Sequence, residues 1–208
     1  MALLSAETLR TVYARGDIPA AEDTTLGVML GAIEVATARY LGYPTTNTAT
    51  GAQPLLDATS YTLRLDGDGT ETLYLPVAPV TAVTSVYQDA TQAFGTGTDV
   101  DSGDYELVNY PGGAKLVLLP TSTTGSWAEG HRTIKVTVTA GYATEAALPD
   151  DVVHALYAWA LASYRAQPAR HLESTSKGGA SQTLRPLTMP DDVRELLQPL
   201  RLGAAYGW

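Results

Sequence analysis

Few residues of this chain stand where catalysis would need them. Its three histidines, His131, His154 and His171, are far apart, and none falls in a metal-ligand spacing such as His-Glu-x-x-His. His154 falls on a helix that begins at Pro149 and reads as a surface or packing histidine. No Gly-x-Ser-x-Gly elbow is present to expose a nucleophile. Lys177-Gly178-Gly179-Ala180-Ser181 has the composition of a phosphate loop. It lacks the Gly-x-x-x-x-Gly-Lys-Ser/Thr order, is not expected to follow a strand, and reads as a flexible loop. Two acidic segments, Asp66-Gly67-Asp68-Gly69-Thr70-Glu71 and the loop carrying Asp99, Asp101 and Asp104, offer oxygens for calcium. Calcium takes six to eight of them, and neither segment has the EF-hand pattern, so both read as solvated turns. No catalytic, cofactor or metal residue is assigned, and no enzymatic activity is expected.

Other residues are better suited to binding a partner. Between positions 165 and 185, Arg165, Arg170, Lys177 and Arg185 face Glu173 alone, a net charge of +3 in a chain whose total is −9. Such a segment suits an acidic surface or a nucleic-acid backbone. The chain ends Leu202-Gly203-Ala204-Ala205-Tyr206-Gly207-Trp208, with two aromatics of the kind that anchor interfaces. Arg170, Lys177, Arg185, Tyr206 and Trp208 are therefore the candidate docking residues. Along the helix from Pro149, Val153, Leu156, Tyr157, Ala160, Leu161 and Tyr164 share one face. Five of these (Val153, Leu156, Tyr157, Leu161 and Tyr164) are the candidate contacts between subunits.

Composition narrows the class. There are 208 residues, enough for one core or for one core carrying an inserted smaller one. Thirteen basic against 22 acidic residues give a sequence pI near 4.7, which argues against a general nucleic-acid coat. The chain has no cysteine, which excludes disulfides and thiol nucleophiles. No apolar run nears the roughly 20 residues that cross a bilayer. Met1-Ala2-Leu3-Leu4-Ser5 does not open a signal peptide, and no Asn-x-Ser/Thr sequon occurs. The expectation is a protein folded in a cytoplasm and not bound to a membrane.

The elements that hold these residues read as helices, then strands, then helices. Ser5 can cap a short helix over about 6–14, ended by Gly16. A second helix runs from Thr24 or Thr25 to Leu41, with Leu26, Met29, Leu30, Ile33, Ala36, Tyr40 and Leu41 near a 3.6 period. Glu22 and Asp23 suit the positive end of its dipole, and Gly42 and Pro44 end it. A polar linker follows over 44–54. The period then becomes two. Tyr61, Leu63 and Leu65, then Gly67-Asp68-Gly69, then Leu73 and Leu75 predict a hairpin. Val80 to Tyr87 predicts a bulged strand, because Val83 and Val86 are three apart. Tyr105–Val108 and Lys115–Leu119 predict a second hairpin around Pro111-Gly112. Thr133–Thr139 puts Ile134, Val136 and Val138 on one face. Helical period returns at Pro149. A Ser-, Thr- and Gly-rich loop is expected over 168–189, and a last helix over 190–198 with Val193, Leu196 and Leu197 on one side. The fold class is α+β. The N- and C-terminal helices form a small α-helical bundle, and an antiparallel β domain is inserted between them. The expected division is 1–53 for the first helices, 54–143 for the β domain and 144–208 for the last helices, the basic loop and the tail.

Four segments in this order resemble the head–tail connector proteins of tailed bacteriophages, also called adaptor or head-completion proteins, with relatives in gene-transfer agents. Ile33-Glu34-Val35-Ala36-Thr37-Ala38-Arg39-Tyr40-Leu41-Gly42-Tyr43-Pro44 resembles the family's early helix and its Tyr-Leu-Gly-x-Pro exit. Pro79-Val80-Thr81-Ala82-Val83-Thr84-Ser85-Val86-Tyr87 is similar to its Pro-Val-x-x-Val-x-x-Val strand. Val138-Thr139-Ala140-Gly141-Tyr142, then Leu148-Pro149 and a helix ending Ala162-Ser163-Tyr164-Arg165, resembles its Ala-Gly-Tyr, proline, helix pattern. Met189-Pro190-Asp191-Asp192-Val193-Arg194-Glu195-Leu196-Leu197-Gln198-Pro199-Leu200-Arg201 resembles its closing Pro-x-x-Val-x-x-Leu-Leu-x-Pro-Tyr-Arg, with Leu200 where the family often has tyrosine.

The resemblance implies the longer, β-inserted type of connector: a non-enzymatic ring, usually dodecameric, beneath the portal in the virion neck. It would be assembled in the host cytoplasm, bind the portal protein above and a stopper or tail-completion protein below, and let packaged DNA pass without specific binding. An acidic channel wall agrees, because phosphate contacts are what make DNA stick. The other reading is a β-rich binding module, for a receptor or carbohydrate, with helical flanks. It would need an aromatic platform, which Tyr61, Tyr74, Tyr87 and Tyr105 could supply.

Overall fold

The computed structural model describes residues 3–44, 54–166, 174–177, 180–183 and 189–202. Its backbone divides into two compact units. The first comprises Met1–Thr37 and Thr144–Gln198, and the second Ala38–Ala143 and Pro199–Trp208.

In the first unit, the Ser5 hydroxyl accepts the Thr8 amide at 3.3 Å and starts helix α1, Ala6–Thr8. The chain then widens into a π-helical turn over Leu9–Tyr13, and Gly16, at φ +81°, reverses it. Helix α2 spans Asp23–Leu41. Arg10 reaches back to the Asp23 carboxylate at 3.1 Å. Leu26, Leu30 and Ile33 on α2 are buried, as its period predicts.

Helix α3, Asp150–Arg165, buries Val152, Ala155, Leu156, Tyr157, Trp159, Ala160 and Ser163. This stripe is turned slightly from the expected one, because α3 is apolar around much of its girth. Packing the large Trp159 inward turns Val153 outward. Helix α4, Asp191–Leu197, buries Val193 and Leu197, whereas Leu196 is 39% exposed. The buried pair is thus i and i+4, and the expected third member faces outward. Helices α3 and α4 pack together, and α3 also packs on the π-helical turn.

The segment between α3 and α4 is not a structureless loop. Strands β7, Ser174–Lys177, and β8, Ala180–Thr183, pair antiparallel, with Lys177 opposite Ala180. The strands are built from Ser, Thr, Gln, Lys and Ala, so no apolar alternation marked them.

The second unit contains two three-stranded antiparallel sheets. The strands are β1 (Thr59–Gly67), β2 (Thr72–Leu75), β3 (Val80–Gln88), β4 (Tyr105–Tyr110), β5 (Gly113–Leu118) and β6 (Gly130–Ala140). The first sheet is ordered β1-β6-β3 and the second β2-β5-β4. The predicted β1–β2 hairpin does not form. β1 pairs with β6 and β2 with β5, so the intervening turn carries the chain from one sheet to the other. The reason lies at the end of β1. There a Cβ on Gly67 would stand 1.9 Å from the Ala128 carbonyl oxygen, so the segment before β6 packs closely on this glycine, and β1 takes β6 as its partner.

The β4–β5 hairpin forms with Pro111-Gly112 at its tip, Gly112 at φ +75°, as a type II turn favours. β3 carries register shifts at Val80/Ala82 and Val83/Ser85, the bulging its valine spacing predicted. Inward residues of both sheets, among them Leu73, Leu116, Ile134, Val136 and Val138, close over one core around Trp127, which is 0% exposed. The Trp127 indole donates to the Glu71 carbonyl at 3.1 Å, so its polar edge is satisfied inside the core.

Two substitutions test this packing. The Tyr61 hydroxyl is buried without a hydrogen-bond partner among the described residues. Tyr61→Phe is expected to raise stability by about 1 kcal/mol, since it removes an unpaid desolvation cost. Gly141 sits at φ +107°, and a Cβ there would lie 2.7 Å from the carbonyl oxygens of Leu56 and Asp57. Gly141→Ala should cost roughly 2–3 kcal/mol or more through backbone strain and clash. Urea unfolding midpoints at unchanged m-value would read both effects.

Candidate functional site

The residues best suited to chemistry are occupied by their own turns. His131 is an exposed partner of Asp66 at 3.0 Å. The Asp66 carboxylate also accepts the Arg132 amide at 2.7 Å. Asp68 accepts the hydroxyl and amide of Thr70, and Asp101 accepts the Gly103 amide. Asp104 accepts the Thr123 hydroxyl at 3.0 Å. Both acidic segments are thus closed by short-range side-chain-to-backbone turns. Among the described residues no group of three or more His, Cys, Asp or Glu side chains could hold a metal ion. His154 lies beside Tyr13, ring centroids 5.4 Å apart. His171 is outside the described residues.

Of the docking candidates, Arg170, Arg185, Tyr206 and Trp208 lie outside the described residues, and Lys177 ends β7. The subunit-contact candidates on α3 separate into two groups. Leu156 and Tyr157 are 0% exposed and have no surface to offer another subunit. Val153, Leu161 and Tyr164 are only partly buried. Tyr157 is instead a hub of the first unit. Its hydroxyl donates to Glu145 Oε2 at 2.7 Å and accepts the Ser5 amide at 2.8 Å, while its ring stacks on Tyr13. Burial, then the hydrogen bond to Glu145, pushes its pKa up, so it remains a neutral donor at neutral pH.

The four tyrosines considered for a glycan platform do not make one. Tyr61 is buried, Tyr105 packs against the core, and Tyr74 and Tyr87 belong to different sheets. What the outer face of the first sheet does carry is a cation–aromatic row. Arg64 and Lys135 are paired in register, and Lys135 lies opposite Tyr87 on its other side. The Lys135 ammonium stands 4.2 Å from the Tyr87 ring centroid and 5.0 Å from that of Phe94, with Arg64 5.3 Å from Phe94. The alternation Tyr61/Leu63/Leu65 against Thr62/Arg64 already placed Arg64 outward. The loop that brings Phe94 over it had no sequence signal.

The segments that carry the family resemblance meet in the second unit, at the exit of α2. The Tyr43 hydroxyl donates to the Ala78 carbonyl, next to Pro79. Burial pushes the Tyr43 pKa up, so this donor stays protonated. The Pro79 carbonyl accepts the Gly141 amide at 2.9 Å, and the Tyr142 amide donates to the Leu56 carbonyl at 2.9 Å. The Leu202 amide donates to the Leu41 carbonyl at 2.9 Å, and the Arg201 guanidinium lies 5.6 Å from the Tyr40 ring centroid. Asn109 of β4 brackets Val80 of β3, accepting its amide at 2.9 Å and donating to its carbonyl at 2.8 Å, which ties the two sheets together beside the same point. The junction has no reactive centre. It is a backbone knot that fixes where a helix, two sheets and the C-terminal chain leave one another.

By its architecture the chain is an α+β protein whose terminal helical segments flank an antiparallel β unit and whose described surface holds no catalytic constellation. The sequence matches no protein-family model and no curated protein. The fold does match solved structures. One is a chain in the neck of an empty GTA particle computed with C6 symmetry, at 22% identity and TM-score 0.58, covering 96% of this chain and 90% of that one. A second is in the virion of a native gene transfer agent (GTA) particle, at 22% identity and TM-score 0.55, covering 93% and 88%. A third is in the neck of a native GTA particle computed with C12 symmetry, at 22% identity and TM-score 0.50, covering 95% and 92%. The chain therefore shares its fold, nearly end to end, with proteins of gene-transfer-agent necks.

The turn carboxylates set an acid limit on stability. Asp66 is held below the ordinary carboxylate value first by the Arg132 amide, and Asp68 first by the Thr70 hydroxyl. Asp89 is held down first by the Thr91 hydroxyl; it also accepts the Phe94 amide at 2.8 Å. Depressed folded-state values stabilise the fold in full above the unfolded value of 3.8. That contribution is lost as pH falls through 3.8 toward the lower folded values. The melting temperature should hold at neutral pH and decline below about pH 4. Asp89→Asn should lower it at pH 7 and flatten the acid slope, which thermal melts across that range would show.

Proposed function

We propose that this protein is a structural head–tail connector, an adaptor, in the neck of a tailed phage or phage-like particle. The observation that carries the reading is the near end-to-end fold match to a GTA neck chain, on a chain whose family-like segments converge on one junction. In this reading the protein is not an enzyme. Copies form a ring under the portal protein, twelve in number by analogy with the neck computed with C12 symmetry. The ring extends the channel, and a stopper or tail-completion protein binds its far side. A net charge of −9 suits a channel through which DNA must slide, since phosphate-binding cations would hold it. Assembly takes place in the host cytoplasm and the product is part of the virion.

Contacts between copies are assigned to the α3 side of the first unit, through Val153, Leu161 and Tyr164. Leu156 and Tyr157 support that face from beneath. Heterologous contacts repeated around a closed ring are the geometry that uses such a face once per subunit on each side. Portal docking is assigned to Arg170, Lys177, Arg185, Tyr206 and Trp208. The basic residues supply charge for an acidic partner surface, and the aromatics supply anchors.

Two experiments test this. Removal of residues 203–208, and separately replacement of Arg170, Lys177 and Arg185 by Ser, should leave folding intact and abolish joining to portal-bearing heads. Wild-type docking by both variants would move the docking surface elsewhere. Leu161→Asp with Val153→Asp should leave the monomer's circular dichroism unchanged yet remove the ring from electron micrographs of assembled necks. A neck that contains a single copy, or rings that survive the double substitution, would refute the α3 assignment.

A further inference from the structure

The outer face of the first sheet carries an arrangement that no assigned role uses. Val136 and Val138 of β6 point into the core, so Lys135, Thr137 and Thr139 point away from it. Register then fixes three rows across the sheet. Two are short and uncharged: Ser60, Thr139 and Ala82, then Thr62, Thr137 and Ser85. The third is Arg64, Lys135 and Tyr87. Ser60, Thr62 and Arg64 are exposed. The face is thus a low platform with two cations at one end.

Arg64 and Lys135 are like charges set directly opposite each other, which works against strand pairing. Neither forms an ion pair among the described residues. All of the chain's 22 acidic residues except Glu173 are described, so the pair is left without a counter-charge from any of them. Asp66, two residues along β1, is taken by His131 and the Arg132 amide. Asp99 lies beyond Tyr87, on the side away from Lys135. A strained loop nevertheless holds the pair in place. Phe94 is 9% exposed and sits at φ +49°, a region that bulky residues rarely adopt, with its amide fixed by Asp89. Its ring faces both cations.

The chemistry selects an occupant. The two rings already have cations over them, so they are not free platforms for stacked bases. Two cations on a chain of net charge −9 are also few against the phosphates of a nucleic acid. A carboxylate on a protein surface fits better, and copies of this chain supply one. Copies that each carry −9 repel, so contact between them needs a local charge match. A heterologous ring contact also needs two different surfaces on every copy. The α3 side is one of them. Asp150, at the start of α3, is exposed, and its side chain has no hydrogen bond or ion pair among the described residues. At helical spacing it shares a face with Val153, Leu161 and Tyr164. Asp150 and Leu161 are about 16 Å apart along α3, and the Lys135 and Thr139 rows about 14 Å apart along β6. With the carboxylate over the cations, the apolar part of the helix falls on the short Ser and Thr rows.

We propose that the outer face of the first sheet receives the α3 face of a second copy, with Asp150 of that copy seated on Arg64 and Lys135. This rests on the connector reading, which supplies the ring, and it adds the surface that α3 meets across each contact.

Necks purified from particles carrying the substituted chain supply the test. Arg64→Glu with Lys135→Glu should lower ring occupancy by about tenfold or more, and so should Asp150→Lys. All three together should restore the ring, which loss of a merely structural contact would not allow. Circular dichroism melts of the free variants check folding. The absence of native cysteine permits a second measurement that does not depend on charge reversal. Lys135→Cys with Asp150→Cys should join neighbouring chains into a ladder when assembled necks are oxidised and run on a denaturing gel. Intact rings in the Glu variant, a charge swap that restores nothing in folded protein, or cysteines that join only within one chain would each overturn this inference alone. Wild-type necks that lack this chain would overturn the connector reading, and this inference with it.

Discussion

The β unit depends on a single close approach of backbones at Gly141. The chain leaves β6 there at φ +107°, with the carbonyls of Leu56 and Asp57 where a side chain would be. Its amide is held by Pro79, and the next residue pairs with the strand leading into β1. Three segments distant in sequence are thus fixed within hydrogen-bond reach, and no side chain mediates between them. The register of both outer strands of the first sheet follows, since β1 and β3 each pair with β6 starting at Ala140. Tyr43 and Asn109 then bind the α2 exit and the second sheet to the same place. A buried tyrosine hydroxyl and a side-chain amide do this through directed hydrogen bonds, which specify geometry where apolar packing alone would tolerate sliding.

Much of this was readable before the structure, and the failures have physical causes. Strands with alternating apolar residues and helices with a 3.6 period were placed closely, as were the bulged β3 and the Pro111-Gly112 turn. Pairing was the weak point. Leu63, Leu65, Leu73 and Leu75 alternate across a glycine-rich turn and predict a hairpin. Alternation says only which face is buried, however, and Gly67 is present to let the segment before β6 approach, not to reverse the chain. β7 and β8 have no signal in the sequence because Ser, Thr, Gln, Lys and Ala give no apolar alternation. On α3 the buried direction was ambiguous among Val152, Val153, Leu156, Tyr157 and Trp159, and packing of the indole resolved it. The roles of Leu156 and Tyr157 as core residues follow from that rotation. The junction itself was legible only as four short motifs. Nothing in their spacing revealed that they touch.

The described surface is organised by directed polar and cation–aromatic contacts. Asp68, Asp89 and Asp101 close turns, and Arg64 and Lys135 lie over aromatic rings on the outer face of the first sheet. Such cations keep a defined position without the desolvation a buried ion pair demands. The first unit is organised the same way. Glu34 is 7% exposed and accepts the Leu4 amide at 2.6 Å, and Tyr157 accepts the Ser5 amide. Two side chains of the first unit thereby fix the segment that leads into α1. Both units use polar groups to lock segments into place.

The placement of the C-terminal chain follows from the same constraint. Past α4 the chain tightens into a 3-10 turn over Gln198–Leu200. The Leu41 carbonyl, left without an intrahelical donor at the end of α2, takes the Leu202 amide instead. A helix end that needs a donor and a chain that has just left its own helix satisfy each other. The fixed point lies beside a hairpin tip whose glycine has no room for a Cβ. The last residues before the tail are thus positioned by backbone requirements of α2 and of the β4–β5 turn. Substituting the tail itself leaves those requirements untouched, so the point from which it starts is a property of the fold.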